Sequence, residues 1–178
     1  PGGVRWTAGA VKGHQAATNA ACKQAKGNLI AMLEDDDLYE PEHLETLYKA
    51  MQEHGADFVS CSQQQQTPKG ADLDVFHFAT ASTWLMKRGT WLAVGGFDER
   101  LKVHHDNLAL HRLKQVGAKR VHLVRKDEPD HPWLHTLACF TPIIRCLDRL
   151  TVRRTVHEGS VLAQCRQAGT VFVHRHAT

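Results

Sequence analysis

A short apolar run that leads directly into four acidic residues constrains the fold of this chain more than any other stretch. Residues 29–33 are all apolar, and Glu34, Asp35, Asp36 and Asp37 follow without a break. An uninterrupted apolar run of this length is typical of a strand buried on both faces of a sheet. The acidic residues then lie at the carboxyl end of that strand, where open α/β sheets bind ligands. We therefore expect an α/β fold with a polar site at this position.

The acidic run itself has two interpretations. Four adjacent carboxylates repel one another, and a cation or the donors of a polar ligand offset that repulsion. Hard divalent ions such as Mg²⁺ and Mn²⁺ bind carboxylate oxygens and usually share the remaining positions with substrate phosphates. The alternative is a solvated acidic loop before a helix, because acidic residues also suit a helix N-terminus. An acidic run alone does not separate the two interpretations.

The overall composition argues against several classes of protein. With 178 residues, of which 42% are hydrophobic, the chain is long enough for one domain, residues 1–178, with a sizeable core. A net charge of +3 without a stripe of basic residues argues against a nucleic-acid partner. No apolar stretch approaches the ~20 residues that a transmembrane segment needs. The chain opens at Pro1 without the pattern of a signal peptide.

The cysteines and histidines indicate a reducing environment and no zinc cluster built on cysteine. The five cysteines are an odd number, and no two of them are spaced as a CxxC pair. This usage is typical of a reduced protein, so we predict a cytoplasmic location. Most of the thirteen histidines are expected to be surface or structural residues.

The periodicity of the chain predicts alternating helices and strands. An alanine-rich helix is expected over residues 14–26, and a second helix over residues 41–54 with an apolar face. That face consists of Leu44, Leu47, Tyr48 and Met51. Residues 28–34, 56–62 and 119–125 are expected as neighbouring strands of one mostly parallel sheet. The remaining expectations are a polar loop at 63–74, one or two strands within 76–87, helices at 88–94, 106–116 and 133–150, and a strand at 151–157.

Two polar residues leave more than one interpretation open. Asn19 sits within the first helix and can face the edge of the core, a ligand or the solvent. Asp106 stands where an N-cap would precede a helix that ends at Gly117, and capping alone accounts for its presence.

Taken in order, three segments resemble those of the family 2 glycosyltransferases, which have the GT-A fold. The first runs from that family's G-x-x-x-A-R-N helix into its D-x-D-D motif, and the matching residues are Gly13, Ala17, Asn19, Ala25, Gly27, Ile30, Leu33, Glu34 to Asp37, Pro41 and Leu44. The second is a later segment in which an E-D pair precedes a helix, and it is matched by Gly95 to Glu99, Asp106, Arg112 and Leu113. The third, Thr151 to Arg153 with His157 to Ser160, is similar to a segment often found near the end of these domains. Each motif alone is common, but three in this order and spacing are fairly specific.

The resemblance implies a hexosyltransferase-like enzyme that moves a sugar from a nucleoside-diphosphate sugar to a hydroxyl of a carbohydrate or another acceptor. In the family, the acids of the motif hold Mn²⁺ or Mg²⁺ on the donor diphosphate. Matched by position these acids are Glu34 and Asp36, with Asp36 as the direct metal ligand, and His157 is a further candidate ligand.

The resemblance also implies the remaining site residues. Asn19, Glu34, Asp35 and Asp37 are expected to contact the donor. The aspartate of the E-D pair acts in the family as general base toward the acceptor hydroxyl, which gives that role to Asp106 and implies an inverting reaction. A carboxylate within ~3 Å of the hydroxyl can take its proton.

The sequence also departs from the family pattern. Glu34 stands in place of an aspartate, Thr18 in place of an arginine, and His105 in place of the glutamate of the E-D pair. Nothing before Pro1 supplies the strand, helix and strand that bind the nucleoside in the family, so we expect a GT-A fold truncated at its N-terminus. A partner surface, such as that of a second copy in a homo-oligomer, is then expected to cover the exposed sheet edge.

These departures leave two alternatives to an active transferase. One is a non-catalytic remnant of the GT-A fold that serves binding or assembly. The other is a metal-dependent phosphohydrolase built on the acidic run, although the sequence contains no second motif for that activity.

Overall fold

The computed structural model describes residues 13–76, 80–102, 105–125, 143–147 and 151–155, which form four α-helices and nine strands. The helices are α1 (His14–Gln24), α2 (His43–His54), α3 (Arg88–Val94) and α4 (His105–Gln115). The strands are β1 (Leu29–Ala31), β2 (Asp37–Tyr39), β3 (Phe58–Cys61), β4 (Gln63–Gln66), β5 (Asp72–Phe76), β6 (Leu85–Lys87), β7 (Arg120–Arg125), β8 (Ile143–Leu147) and β9 (Val152–Thr155). A single 3-10 turn, Ala81–Thr83, precedes β6. The expected α/β class is confirmed.

A five-stranded sheet in the order β1-β6-β3-β7-β8 forms the main layer of the fold. β6 pairs antiparallel with both β1 and β3, whereas β7 is parallel to β3 and to β8. Four of the five strands therefore run in one direction, as expected for a mostly parallel sheet. The expectation that residues 28–34 and 56–62 are direct neighbours is wrong, because β6 lies between them. The strand at 120–125 is next to β3, as predicted.

A second sheet has the strand order β2-β9-β4-β5. Its strands β4 and β5 occupy the stretch in which a polar loop was expected. Residues 63–74 are not a loop, since β4 and β5 pair antiparallel as a hairpin. Two of its glutamines are buried and hydrogen-bonded: Gln63 accepts a hydrogen bond from Thr80 Oγ1 at 3.2 Å, and Gln66 donates one to Thr155 Oγ1 at 3.2 Å. Each buried amide thus has a partner inside the protein, although Gln63 Nε2 has none within the described residues, and the polar run forms a strand.

A strand also replaces part of the helix expected at residues 133–150. Residues 143–147 form β8, which extends the main sheet beside β7. The adjacent isoleucines, Ile143 and Ile144, suit a strand because their branched side chains favour extended backbone. The rest of that expected helix, and residue 157, lie outside the described residues.

The main sheet separates two hydrophobic clusters. Phe58, Trp84, Trp91, Phe97 and Leu113 belong to the cluster formed with α3 and α4. The cluster on the α2 side consists chiefly of Leu47, Met51, Val59, Cys61, Val121 and Leu123. Phe58 and Val59, which are consecutive in β3, enter opposite clusters, as the alternation of a strand requires. Each fully buried large side chain stabilises the fold by about 1.5–3 kcal/mol.

The buried faces of α1 and α2 differ from those expected. In α2 the buried residues are His43, Leu47, Ala50 and Met51, whereas Leu44 and Tyr48 are nearly half exposed. In α1 the buried residues are Gln15, Ala16, Asn19 and Cys22 rather than a face made of alanine alone. Both helices bury polar side chains, Gln15 and Asn19 in α1 and His43 in α2, which form hydrogen bonds in the interior. Hydrophobic periodicity does not predict such buried polar residues. Within the described residues, no helix has the length and apolar character needed to cross a membrane.

Candidate functional site

The acidic run forms a tight turn between the two sheets. After β1 the chain turns at residues 34–37, where the Asp37 backbone N–H donates to the Glu34 carbonyl at 3.2 Å. The Glu34 backbone N–H donates to Ser82 Oγ at 2.9 Å, so the 3-10 turn before β6 anchors the acidic turn. β2 begins at Asp37, and its partner β9 places Arg154 opposite that residue. The acids therefore lie at the carboxyl end of β1, as predicted. The expectation that this strand is buried on both faces is wrong, because β1 is at an edge of the described sheet and only Ile30 in it is buried.

Three of the four acids come together. Carboxylate oxygens of Glu34, Asp36 and Asp37 all lie within 4.8 Å of one another, a spacing that suits a shared cation. Asp35 is exposed and is not one of this group, although it belongs to the same turn. The three oxygen donors fit a hard divalent ion, and further positions on the ion would remain for phosphate or water.

Asp37 is the most constrained of the three carboxylates. Its side chain is 5% exposed, and neither oxygen has a hydrogen-bond partner within the described residues. Burial raises the pKa of Asp37 to about 6, and the neighbouring charges of Asp36 and Glu34 act in the same direction. The Ser82 hydroxyl and the charge of Arg154 oppose this rise, but the hydroxyl does not meet the geometry of a hydrogen bond to either oxygen. A buried carboxylate without donors is costly unless a cation or a proton neutralises it.

Glu34 is held by a histidine that the sequence did not single out. His14, the first residue of α1, places Nε2 3.2 Å from Glu34 Oε1. This contact raises the pKa of His14, chiefly through the hydrogen bond. Burial alone would raise the pKa of Glu34, but the hydrogen bond and charge of His14 outweigh it and keep the pKa below its ordinary value. Glu34 is therefore an ionised carboxylate at neutral pH.

Asn19 is buried, so the interpretation that it faces solvent is wrong. Its Nδ2 donates to the Phe97 carbonyl at 2.9 Å and to Glu99 Oε1 at 3.0 Å, and its Oδ1 accepts from the Phe97 N–H at 2.9 Å. Gly96, with φ of 75°, approaches so closely that a side chain there would collide with Asn19 Oδ1. Asn19 thus joins α1 to the turn after α3, and its expected contact with the donor stays a prediction.

Asp106 is in the first turn of α4. Its Oδ1 accepts a hydrogen bond from the Asn107 backbone N–H at 2.8 Å. The residue before it, His105, contacts α1: its ring lies 5.3 Å from that of His14, centroid to centroid, and Gln15 Nε2 is 3.0 Å from its Nδ1. The start of α4 is therefore next to the acidic turn. The role of Asp106 as a base stays a prediction, and that of His157 lies outside the described residues.

Sequence reasoning missed His14 and Arg154 as members of this site. Arg154 faces Asp37 across the paired strands β2 and β9, and its positive charge lowers the pKa of both Asp37 and Glu34. Its position opposite Asp37 depends on the pairing of β2 with β9, which nothing in the local sequence reports. The sequence did draw attention to His105, because this residue replaces the glutamate of the family's E-D pair.

An open pocket lies beside the acidic turn. It has a volume of about 210 Å³ and is lined by α1, by the chain from Ala31 to Glu34, and by Ala81. Its α1 wall includes His14, Thr18 and Cys22. Burial raises the pKa of Cys22 to about 11, so this wall carries a neutral thiol rather than a thiolate. The pocket joins a largely apolar wall to the charged end of Glu34.

This mixed α/β fold is of the GT-A type, and comparison with known proteins identifies its family. The model of glycosyl transferase family 2 matches residues 3–99, more than half of the chain. The chain therefore belongs to glycosyl transferase family 2. Among curated proteins nothing matches it.

The first of two similar solved structures supports the same GT-A type of fold. The structure of S. aureus TarS 1-349 in complex with UDP-GlcNAc is 18% identical, with a TM-score of 0.57 over 90% of this chain. A structure of S. aureus TarS 1-349 in complex with UDP is also 18% identical, with a TM-score of 0.49 over 79% of this chain. The chain spans 42% and 39% of the lengths of these two chains.

Proposed function

We propose that this chain is the donor-binding and catalytic part of a metal-dependent, inverting glycosyltransferase that uses a nucleoside-diphosphate sugar. The observation that carries the proposal is the buried carboxylate of Asp37, which has no hydrogen-bond partner within the described residues and lies among the oxygens of Glu34 and Asp36. In a chain of glycosyl transferase family 2, such a group of acids suits a divalent cation on the donor diphosphate.

Asp36, Glu34 and Asp37 are the residues that would hold Mn²⁺ or Mg²⁺. When bound, the ion would stabilise negative charge on the leaving diphosphate. Arg154 would lie on the same side as the phosphates, because it is directly opposite Asp37 in the antiparallel pair of β2 and β9, where facing side chains share one side of the sheet. A guanidinium next to a diphosphate forms charge-assisted hydrogen bonds, which fix the orientation of the leaving group.

Asp106 would take the proton of the attacking acceptor hydroxyl. Its neighbour His105 packs against α1 beside Glu34, so the first turn of α4 borders the region in which the donor sugar would lie. A carboxylate within hydrogen-bond reach of a hydroxyl supplies general-base catalysis. Direct attack by that hydroxyl inverts the anomeric centre and requires no covalent nucleophile.

A cytoplasmic location is part of the same proposal. Cys22 and Cys61 are both free thiols, which suits a reducing compartment. β1 lies at one edge of the main sheet among the described strands, so a homo-oligomer that covers this edge remains a prediction.

A thermal-shift screen tests the proposal. UDP-GlcNAc is the first donor to try, because S. aureus TarS 1-349 was crystallised with it, and other UDP-, GDP- and dTDP-sugars follow. At least one donor should raise the melting temperature by mass action, and only when Mn²⁺ or Mg²⁺ is present. If no donor raises it with either ion, the chain does not bind a nucleotide sugar and the non-catalytic alternative is favoured.

A further inference from the structure

Two histidines and one glutamate from three separate segments meet beside the acidic turn. His14 begins α1, Glu34 follows β1, and His105 begins α4. One ligand atom from each lies within 4.8 Å of the other two. His14 Nε2 and Glu34 Oε1 are already 3.2 Å apart. The two imidazoles have no part in the metal site proposed for the acidic turn or in the role of general base proposed for Asp106.

An ion pair accounts for only part of this cluster. One imidazole is enough to pair with Glu34, and His14 does so. The His105 ring is nevertheless held beside the same carboxylate, by Gln15 at 3.0 Å and by an edge contact with Phe97 whose ring centroids are 4.7 Å apart. Two imidazoles and one carboxylate with an open side are the donor set of many protein sites for zinc.

We propose that His14, Glu34 and His105 form a second metal site, which binds Zn²⁺. Ligand atoms on a tetrahedral zinc ion stand about 3.4 Å apart, because each bond is about 2.0–2.1 Å long. The His14 to Glu34 distance already fits, and no separation in the cluster must shrink by more than about 1.4 Å. Side-chain rotation can supply this, since the side chains of His14 and Glu34 are 44% and 25% exposed. The same exposure gives the ion a path from solvent.

Gln15 completes the site as a positioning residue. A histidine that binds metal through one ring nitrogen usually forms a hydrogen bond through the other, and this bond fixes the ring. Gln15 is buried and its amide lies at Nδ1 of His105, so Nε2 would be the ligand atom. Either end of the amide can face that nitrogen, and Oε1 would accept the Nδ1 proton in the zinc-bound form.

This site and the three grouped carboxylates of the acidic turn should prefer different metal ions, because their ligand atoms differ. Imidazole nitrogen suits Zn²⁺, whereas Mg²⁺ and Mn²⁺ prefer oxygen donors such as those of Asp36 and Asp37. Glu34 belongs to both sets, so the two ions would compete for one carboxylate. Zinc binding here does not require that the chain transfer a sugar, and it can be measured without donor or acceptor.

Calorimetry with Zn²⁺ alone tests the site. His14→Gln and His105→Gln should each weaken the tightest zinc binding by more than Gln15→Leu does. For Gln15→Leu, a loss of about 10- to 100-fold is expected, as for other partners of metal-bound histidines. His111→Gln, a change of the same kind on the exposed side of α4, should leave the affinity unchanged. Asp36→Asn should retain zinc binding, which separates this site from the donor site.

Absorption by Co²⁺, used in place of Zn²⁺, identifies the ligands directly. Nitrogen and oxygen ligands in a tetrahedral site should give visible bands in the wild type that are lost in both His14→Gln and His105→Gln. Equal zinc affinity in the wild type and in both histidine variants would overturn the proposal. A cobalt–thiolate band in the near ultraviolet would overturn it as well, because the ion would then be held by cysteine.

Discussion

Asn19 and Phe97, 78 positions apart in the chain, form a closed pair of hydrogen bonds. The Asn19 side-chain amide donates to the Phe97 carbonyl and accepts from the Phe97 N–H, both at 2.9 Å. The pairing joins α1, which carries His14, to the turn that follows α3. It thereby fixes one wall of the candidate site to the core.

Asn19→Ala should lower the free energy of unfolding by about 2–4 kcal/mol, because it leaves both backbone groups of Phe97 buried without a partner. Chemical denaturation checks the value. Asn28→Ala, at an exposed position where the backbone carbonyl accepts from the Arg88 N–H, is the matched control and should change stability by less than about 0.5 kcal/mol. A similar loss in both variants would contradict a special role for Asn19.

Gly96→Ala should destabilise more than Gly95→Ala. Both glycines have positive φ, 75° and 76°, so each substitution carries a backbone cost of about 1–2 kcal/mol. Only at Gly96 does the added Cβ meet other atoms, with Asn19 Oδ1 in collision and Trp91 at 3.4 Å. Chemical denaturation gives the unfolding free energy of each variant, and the difference between the two is the cost of the collision with Asn19 and Trp91. Equal values would show that the turn adjusts to the added Cβ without cost.

His43 should make the fold sensitive to acid. It is 1% exposed, its Nδ1 lies 2.7 Å from Thr151 Oγ1, and burial lowers its pKa to about 4. Because the unfolded chain binds a proton near pH 6.5 and the folded chain does not, stability is lost as the pH falls below that value.

Between about pH 7 and about pH 5 the wild type should lose about 1–2 kcal/mol more than His43→Gln, which cannot be protonated in this range. Denaturation curves at several pH values provide the comparison. Parallel pH profiles for the two proteins would show that His43 is not the group responsible.

Asp106→Asn should lower sugar transfer by roughly two to four orders of magnitude, the usual worth of general-base catalysis. Asparagine retains the hydrogen bond to the start of α4, so stability should change little. Donor and metal binding should also survive, since the base contacts the acceptor. Steady-state assays with a donor found by the thermal-shift screen provide the measurement, and an unchanged rate would remove Asp106 from the mechanism.

The sequence predicted the parts of the fold that local patterns determine. β1, β3, β7 and all four helices lie near their expected positions, because hydrophobic runs and terminating glycines are local signals. Gly55, for example, ends α2 with φ of 58°. The position of β6 between β1 and β3, and the hairpin of β4 and β5, depend on pairing between distant segments. Such pairing leaves no local mark.

In the candidate site, too, local patterns were predictable and contacts between distant segments were not. The acidic turn was predictable because four acids directly follow one apolar run. His14 and Arg154 were not, because their proximity to Glu34 and Asp37 depends on how α1 and β9 pack. The substitution at His105 was visible in the sequence, but its contact with α1 was not.

Calorimetry of Asp36→Ala tests most directly whether the acidic turn holds the metal and diphosphate of a nucleotide-sugar donor. In the wild type, a nucleoside diphosphate should bind in the presence of Mn²⁺ and lose most of its affinity without it. Asp36→Ala should abolish the metal-dependent part, whereas Asp35→Ala should keep the requirement for Mn²⁺, because Asp35 is not among the three grouped carboxylates. Equal metal-dependent binding in the wild type and Asp36→Ala would contradict the account.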